Sequence, residues 1–135
     1  MRVRRGGGAS MDQVVLEQVL DWDKALRRLA GDEGLLRELC DAFALDYPRK
    51  LTVLKAALGG RDSKMLCVTA HALKGACSVL CATRCVTLAG EVEVAAREKR
   101  WEELPALLRR LEREVQILLD TIASHGAPQT ATHPS

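Results

Sequence analysis

The fold is decided by the stretch DSKMLCVTAHALKGACSVL, residues 62–80. It begins with Asp62, a residue type that caps helix N-termini, and its apolar residues recur every three or four positions. The resulting stripe contains Leu66, Ala70, Leu73, Cys77 and Leu80. At about 100° per residue these side chains fall within about 40° of Leu66, whereas His71 falls about 140° away. The pattern predicts an amphipathic helix that buries the stripe and exposes His71.

The helical period continues on both sides of this stretch. Before it, the sequence predicts a short helix capped by Ser10 or Asp12, a second one from Asp21 to Gly31, and a long one that Asp32 caps. The apolar phase of the long helix is unbroken at Pro48, which predicts a kinked but continuous helix that ends at Gly59-Gly60. After the stretch, further helices are predicted over residues 83–99 and from about Trp101 and Pro105 onward.

Four long amphipathic helices with short connections predict an all-α fold, an antiparallel up-down four-helix bundle with short N-terminal capping helices. The chain has 135 residues, enough for one such domain. We expect a flexible basic arm at residues 1–10, the bundle at residues 11–124 and a disordered tail at residues 125–135, where the sequence HGAPQTATHPS carries no Asp, Glu, Lys or Arg.

Charge and composition argue against several function classes. Residues 11–135 carry 17 basic and 18 acidic side chains, because Arg2, Arg4 and Arg5 all lie in the arm. The folded part therefore has no electrostatic reason to bind nucleic acid or an anionic membrane, and we read the arm as a solvated tail rather than a nucleic-acid tether. No apolar run is long enough to span a membrane and no signal peptide is present. The sequence predicts a cytoplasmic protein.

Cysteine spacing leaves one alternative to weigh. The five cysteines are odd in number and form no CxxC pair, which predicts reduced thiols. Cys77, Cys81 and Cys85 lie at i, i+4 and i+8, and with His71 they suggest a zinc or redox site. We favour small core residues instead, because Cys77 lies on the buried stripe and the chain is expected to turn at Ala82-Thr83.

His71 has neighbours that suit a reaction with phosphate. Lys74 and Gly75 lie three and four residues further along the same helical face, with Ser78 one turn beyond. A fixed cation beside an imidazole attracts a dianionic phosphoryl group. A glycine within a helix costs about 0.5–1 kcal/mol relative to alanine, and its missing side chain permits another backbone to approach the ring.

The string from Thr69 to Ala76, TAHALKGA, resembles the AHxLKG signature of histidine-phosphotransfer (HPt) domains, which pass phosphoryl groups between receiver domains in phosphorelays. The resemblance extends from about Leu20 to Ala123. The family often begins with an entry like DWDKALRRLAGD, which here spans residues 21–32, and its leucine-rich helix often contains a proline, matched by Pro48.

The resemblance implies that His71 is the phospho-acceptor, that Lys74 supports the phosphoryl group and that Gly75 gives the receiver clearance. It also implies a docking surface, for which we predict Val68, Ser78, Cys81 and Arg84. Two departures stand out: Cys81 occupies a position where the family commonly has a second glycine, and Lys99-Arg100 replaces a frequent Gly-Asp.

The predicted function is that of a phosphorelay intermediate. It accepts a phosphoryl group from a receiver aspartyl phosphate, or from a hybrid sensor histidine kinase, and passes it to a response regulator. The chain has no P-loop and no kinase glycine loop, so we predict a carrier without an ATP site or cofactor of its own, with Mg²⁺ supplied by the receiver. We expect a monomer. The alternative is a helical adaptor that binds a receiver or a partner helix and never carries phosphate, since bundles host many functions.

Overall fold

The computed structural model describes the backbone of residues 11–131 and the side chains of residues 14–125. Within that range the chain forms six helices and no strand: α1 (Met11–Val19), α2 (Trp22–Arg28), α3 (Glu33–Gly59), α4 (Ser63–Val79), α5 (Thr83–Arg97) and α6 (Leu104–Ala131). The predicted all-α class is confirmed. The predicted arm at residues 1–10 and the last four residues of the predicted tail lie outside the described residues.

Helices α3 to α6 form the bundle. Each packs against its neighbours in the chain, and α6 returns to pack against α3, while α1 lies on α5 and α6, and α2 lies on α3. The predicted four-helix bundle with short N-terminal helices is confirmed. Its interior is filled mainly by eight fully buried leucines, namely Leu36, Leu54, Leu66, Leu73, Leu80, Leu104, Leu111 and Leu118. Among the described residues, no helix is apolar over a length that would cross a membrane.

Three helices begin at the aspartates that the sequence predicts as caps. The side chains of Asp21, Asp32 and Asp62 accept hydrogen bonds from backbone N–H groups three residues later, at 3.1, 3.0 and 3.0 Å. Each cap satisfies a donor that has no partner inside the helix. Helix α3 runs without a break through Pro48, as predicted, and Thr52 Oγ1 donates a hydrogen bond to the carbonyl of Pro48 at 3.0 Å.

Four helices end on a non-glycine residue with a left-handed backbone. These residues are Ala30, Arg61, Cys81 and Lys99, with φ of 55°, 53°, 56° and 56°. At each end the N–H groups of this residue and of the residue after it donate to carbonyls of the last turn. After α4, for example, Cys81 N–H donates to Ser78 O and Ala82 N–H donates to Cys77 O. This is the Schellman motif, in which glycine is the usual left-handed residue.

The Schellman motif corrects the prediction made for Cys81. Its side chain is only 6% exposed, so the structure contradicts a docking contact by this side chain. Glycine is favoured at such a position because of the backbone angle, which explains the family departure at Cys81 without reference to a partner. The same reasoning applies to Lys99, which occupies the equivalent position after α5.

The C-terminal boundary of the bundle also differs from the prediction. Residues 125–131 continue α6 rather than beginning a disordered tail. An existing helix gains one hydrogen bond for each residue added, without a new nucleation cost. In addition, the ring of His125 stacks on Trp22 of α2, with the centroids 4.3 Å apart and the planes 4° from parallel.

We predict that Lys99→Gly raises the free energy of unfolding by about 1 kcal/mol, because a left-handed backbone costs an L-residue about 1–2 kcal/mol and glycine loses more entropy on folding. Urea denaturation of both proteins measures the difference. Lys99→Ala is the control and gives no such gain, because alanine keeps the Cβ atom that causes the cost. Equal stability of the glycine and alanine variants would contradict this explanation.

Candidate functional site

His71 lies in the middle of α4, on the face turned away from the core. Its side chain is 67% exposed, while Ala70 and Leu73 beside it in the sequence are fully buried. The direction predicted from the helical period is therefore correct. Exposure makes the ring available to another molecule, but the ring is also fixed by a contact that involves a second helix.

That contact is made by Glu93 of α5. Its side chain is only 10% exposed, and its Oε2 atom lies 3.0 Å from His71 Nδ1. The same oxygen accepts a hydrogen bond from Nη2 of Arg97 at 3.1 Å, and Oε1 lies 2.8 Å from Nζ of Lys74. One nearly buried carboxylate thus joins a histidine, a lysine and an arginine.

These contacts keep Glu93 ionised. The hydrogen bond with Lys74 makes the largest contribution and, together with the contact to His71, it outweighs burial and holds the pKa of the Glu93 carboxyl below its ordinary value. An ionised carboxylate only accepts hydrogen bonds. Nδ1 of His71 must therefore carry the proton, and in the neutral ring the lone pair is on Nε2. Within the described part of the chain, no residue is hydrogen-bonded to Nε2.

Lys74 reaches Glu93 by crossing from α4 to α5. Its Cδ atom lies 3.5 Å from the place where a Cβ atom on Gly90 would stand, an ordinary van der Waals distance, so the lysine stem passes directly over Gly90. Lys74 is consequently adjacent to the His71 ring through a shared carboxylate. The predicted neighbourhood of His71 and Lys74 is present, with Glu93 between them.

The two flanks of His71 differ in chemistry. Lys74 and Val68 are about 60° to either side of His71 around the helix axis. The Lys74 flank faces α5 and is charged. The other flank is apolar, with Val68 at 56% exposure and Val79 also exposed, and it leads to an apolar groove between α3 and α4 that Val79 lines.

Gly75 has no structural reason to be glycine within the described chain. It is exposed, has no unusual backbone angle, and a Cβ atom placed on it would meet nothing within 4 Å. Ser78 is exposed one turn further along. Gly75 and Ser78 therefore remain on the face of His71, as the sequence predicted.

Arg84 does not join this face. Its guanidinium pairs with Glu114 of α6, with Nη2 and Oε2 2.5 Å apart, so it belongs to the α5–α6 side of the bundle. Of the four residues predicted to contact a partner, Val68 and Ser78 lie on the face of His71, whereas Cys81 is buried and Arg84 is turned towards α6.

The contact between Glu93 and His71 is the feature of the site that the sequence did not predict. Its i,i+4 pair with Arg97 can be recognised from spacing, but its link to His71 cannot, because it crosses from one helix to another. A signal was present nevertheless. Glu93 lies four residues after Ala89 and one turn before Ala96, both fully buried, and a carboxylate on a buried stripe requires a partner.

The cysteines give no support to the zinc or redox alternative. Cys77 and Cys85 are buried, and a hydrogen bond between their side chains, followed by burial, raises the pKa of the Cys77 thiol far above its ordinary value. Such a thiol is a poor nucleophile and a poor metal ligand. Among residues with described side chains, no three His, Cys, Asp or Glu residues are grouped so that they could hold a metal ion.

Comparison with known proteins identifies the family. The Hpt domain family model matches residues 38–124, which include all of α4 and α5. A solved structure, histidine-containing phosphotransfer protein B (HptB) from Pseudomonas aeruginosa PAO1, is similar with a TM-score of 0.73 and 33% sequence identity, over 79% of this chain and 93% of HptB. Among curated protein sequences, none matched the chain.

The chain belongs to the Hpt domain family. It is accordingly a histidine-phosphotransfer protein of a phosphorelay, a carrier rather than a classical enzyme, from a family whose members interact with receiver domains. The resemblance drawn from the sequence is confirmed.

The lowered pKa of Glu93 predicts a specific loss of stability in acid. A carboxyl group with a lower pKa in the folded state stabilises the fold fully above its unfolded pKa, about 4.3 for glutamate, and loses that contribution as the pH falls through the folded value. Glu93→Gln is therefore less stable than the wild type at pH 7, and the difference shrinks as the pH is lowered from 5 to 3.

Urea midpoints measured across this pH range check the prediction. Glu102→Gln, which removes an exposed carboxylate, is the control and leaves the wild-type pH dependence in place. A constant difference between Glu93→Gln and the wild type at every pH would show that the carboxylate is not held ionised by its neighbours.

Proposed function

We propose that His71 is the phospho-acceptor, that it receives the phosphoryl group from a receiver-domain aspartyl phosphate or from a hybrid sensor histidine kinase, and that it passes the group to a response regulator. The observation that carries the proposal is the contact of Nδ1 with the ionised Glu93 carboxylate. It leaves the nucleophilic lone pair on Nε2, in a side chain that is 67% exposed.

The transfer step follows from this arrangement. The Nε2 lone pair attacks phosphorus in line, the new N–P bond forms, and the P–O bond to the aspartate breaks, which returns that side chain to a carboxylate. The ring gains positive charge because Nδ1 keeps its proton. Glu93 stabilises that charge from 3.0 Å, and a fixed charge that requires no rearrangement is an effective contribution to such a transition state.

Lys74 and Arg97 supply positive charge next to the ring. Both contact the Glu93 carboxylate, which itself contacts His71, so each cation is one contact removed from the ring. Their charges offset the dianion. The role that the sequence assigns to Lys74 is thus retained in the proposal, and Arg97 is added to it.

The receiver supplies the remaining parts of the reaction. The aspartate and the Mg²⁺ belong to the receiver in this proposal, and the chain contributes the nucleophile, its orientation and the cations around it. Val68, Gly75 and Ser78 form the face on which the receiver docks. We also propose that the protein acts as a monomer, since α4 and α5 alone bring His71, Lys74, Glu93 and Arg97 together.

We predict that His71→Gln abolishes phosphotransfer. Purified protein is mixed with a panel of phosphorylated receivers, and the label on the chain is followed along with its acid lability. His125→Gln, in the second described histidine, is the matched control and retains transfer. A folded wild-type protein that binds receivers but takes up no label from any of them would favour the adaptor alternative.

Glu93 has a separate kinetic prediction. Glu93→Gln keeps a hydrogen-bond acceptor for Nδ1 but removes the negative charge, whereas Glu93→Ala removes both. We expect transfer rates in the order wild type, Glu93→Gln, Glu93→Ala, with the first step costing at least about tenfold, as for removal of one stabilising group at a transition state. Single-turnover kinetics at saturating receiver give this order, and equal rates for all three would contradict the role assigned to Glu93.

Substitutions at Gly75 distinguish an effect on receiver docking from an effect on protein stability. Since a Cβ atom there meets nothing within 4 Å, Gly75→Ala should raise the free energy of unfolding by about 0.5–1 kcal/mol through helix propensity. Gly75→Leu also folds but should slow transfer, because the new side chain stands between the receiver and His71. Ala56→Leu, at an exposed position of α3, is the control and leaves transfer unchanged. A wild-type transfer rate in Gly75→Leu would contradict the proposal that Gly75 gives the receiver space to approach His71.

A further inference from the structure

A polar cleft lies on another side of the bundle, between α5, α6 and the end of α1. It has a volume of about 700 Å³ and is lined by Gln18, Thr83, Thr87, Arg110 and Arg113, among others. This volume is within the range of about 300–1,000 Å³ that is usual for binding sites. The His71 site joins α4 to α5, whereas the cleft joins α5 to α6, so the two sites lie on different sides of α5.

Three arginines and two glutamates line the cleft, so its positive charges exceed its negative charges by one. Glu114 is occupied by Arg84 at 2.5 Å, and Glu91 is 4.0 Å from Arg110, at the limit of an ion pair. Arg113 has no carboxylate partner among the described residues. Glu112, its neighbour in the sequence, is already paired with Lys55 at 3.3 Å.

Arg109 is exposed one turn before Arg113 on α6, but it lines a separate surface pocket with Glu112, Arg113 and Gln116 and is not part of the cleft. A guanidinium group without a carboxylate partner is available to bind an anion, and its planar donor geometry matches a carboxylate.

We propose that this cleft binds an acidic segment of a partner protein, with carboxylates that meet Arg110 and Arg113. The two arginines are three residues apart on one helix, so their side chains begin about 5–6 Å from each other and suit acidic residues that are close in the partner's sequence. Thr83, Thr87 and Gln18 offer hydrogen bonds to a peptide backbone.

Other anions fit the cleft less well. The lining contains no aromatic side chain on which a nucleotide base would stack. Recognition of anionic lipid usually takes a cluster of about 4–8 basic residues, more than the cleft wall carries in excess. The chain's own ends are not candidates, because residues 1–10 and 132–135 contain no Asp or Glu.

Such an interaction would leave the face of His71 open. A partner bound along α5 and α6 holds the carrier nearby while His71 meets a receiver on the other side. The proposed interaction holds the carrier close to its partner and is independent of the phospho-acceptor role. None of the residues that line the cleft contacts His71, Lys74 or Glu93.

Fluorescence anisotropy with a labelled 12-residue peptide of repeated Glu-Glu-Ala tests the proposal. We expect binding at low salt that weakens as salt is added. The double variant Arg110→Glu/Arg113→Glu should bind at least about tenfold more weakly, because opposed like charges repel. Arg113→Gln removes one charge that has no carboxylate partner, and we expect its loss of peptide affinity to be intermediate. This single substitution also serves as a check in case the double variant does not fold.

Three controls decide the result. The Gln-Gln-Ala peptide should not bind, Arg49→Glu on the exposed face of α3 should bind as the wild type does, and His71→Gln should bind normally even though its phosphotransfer is lost. Equal peptide affinity in the wild type and the double variant would overturn the proposal. So would failure of the peptide to bind while anionic phosphatidylserine vesicles sediment the wild type but not the double variant.

Discussion

The site depends on one ionised carboxylate in the seam between α4 and α5. A carboxylate shielded from water is unfavourable unless it is paired, and Glu93 is paired with Lys74, His71 and Arg97. Two of these partners come from α4 and one from α5. The same contacts that satisfy the buried charge therefore fix α4 against α5 and fix the His71 ring, so folding and orientation of the nucleophile share one interaction.

Close packing of the two helices makes this contact possible. Ser63 Oγ, in the first turn of α4, donates a hydrogen bond to the carbonyl of Ala96 at 2.7 Å, and the stem of Lys74 passes over Gly90. A methyl group at position 90 would be in ordinary van der Waals contact with that stem. The seam has a glycine where the lysine stem crosses and charged groups where the side chains end.

The sequence was sufficient for features that depend on one helix at a time. The direction of His71, the aspartate caps and the passage of α3 through Pro48 all follow from helical period and local hydrogen bonding. Glu93 was missed as a partner of His71 because the link depends on how two helices are rotated against each other. The role of Cys81 was misjudged for a related reason, since its backbone angle is set by the turn after α4. The sequence also placed the end of α6 too early, because the helix continues past Gly126 and Pro128.

The most direct test of the account is the position of phosphorus on the His71 ring. Protein labelled with ¹⁵N in histidine is phosphorylated by a receiver, and the ¹⁵N–³¹P coupling is read by NMR. The account predicts phosphorus bonded to Nε2 of His71, with the Nδ1 proton retained and facing Glu93. Phosphorus on Nδ1, or on a residue other than His71, would contradict it.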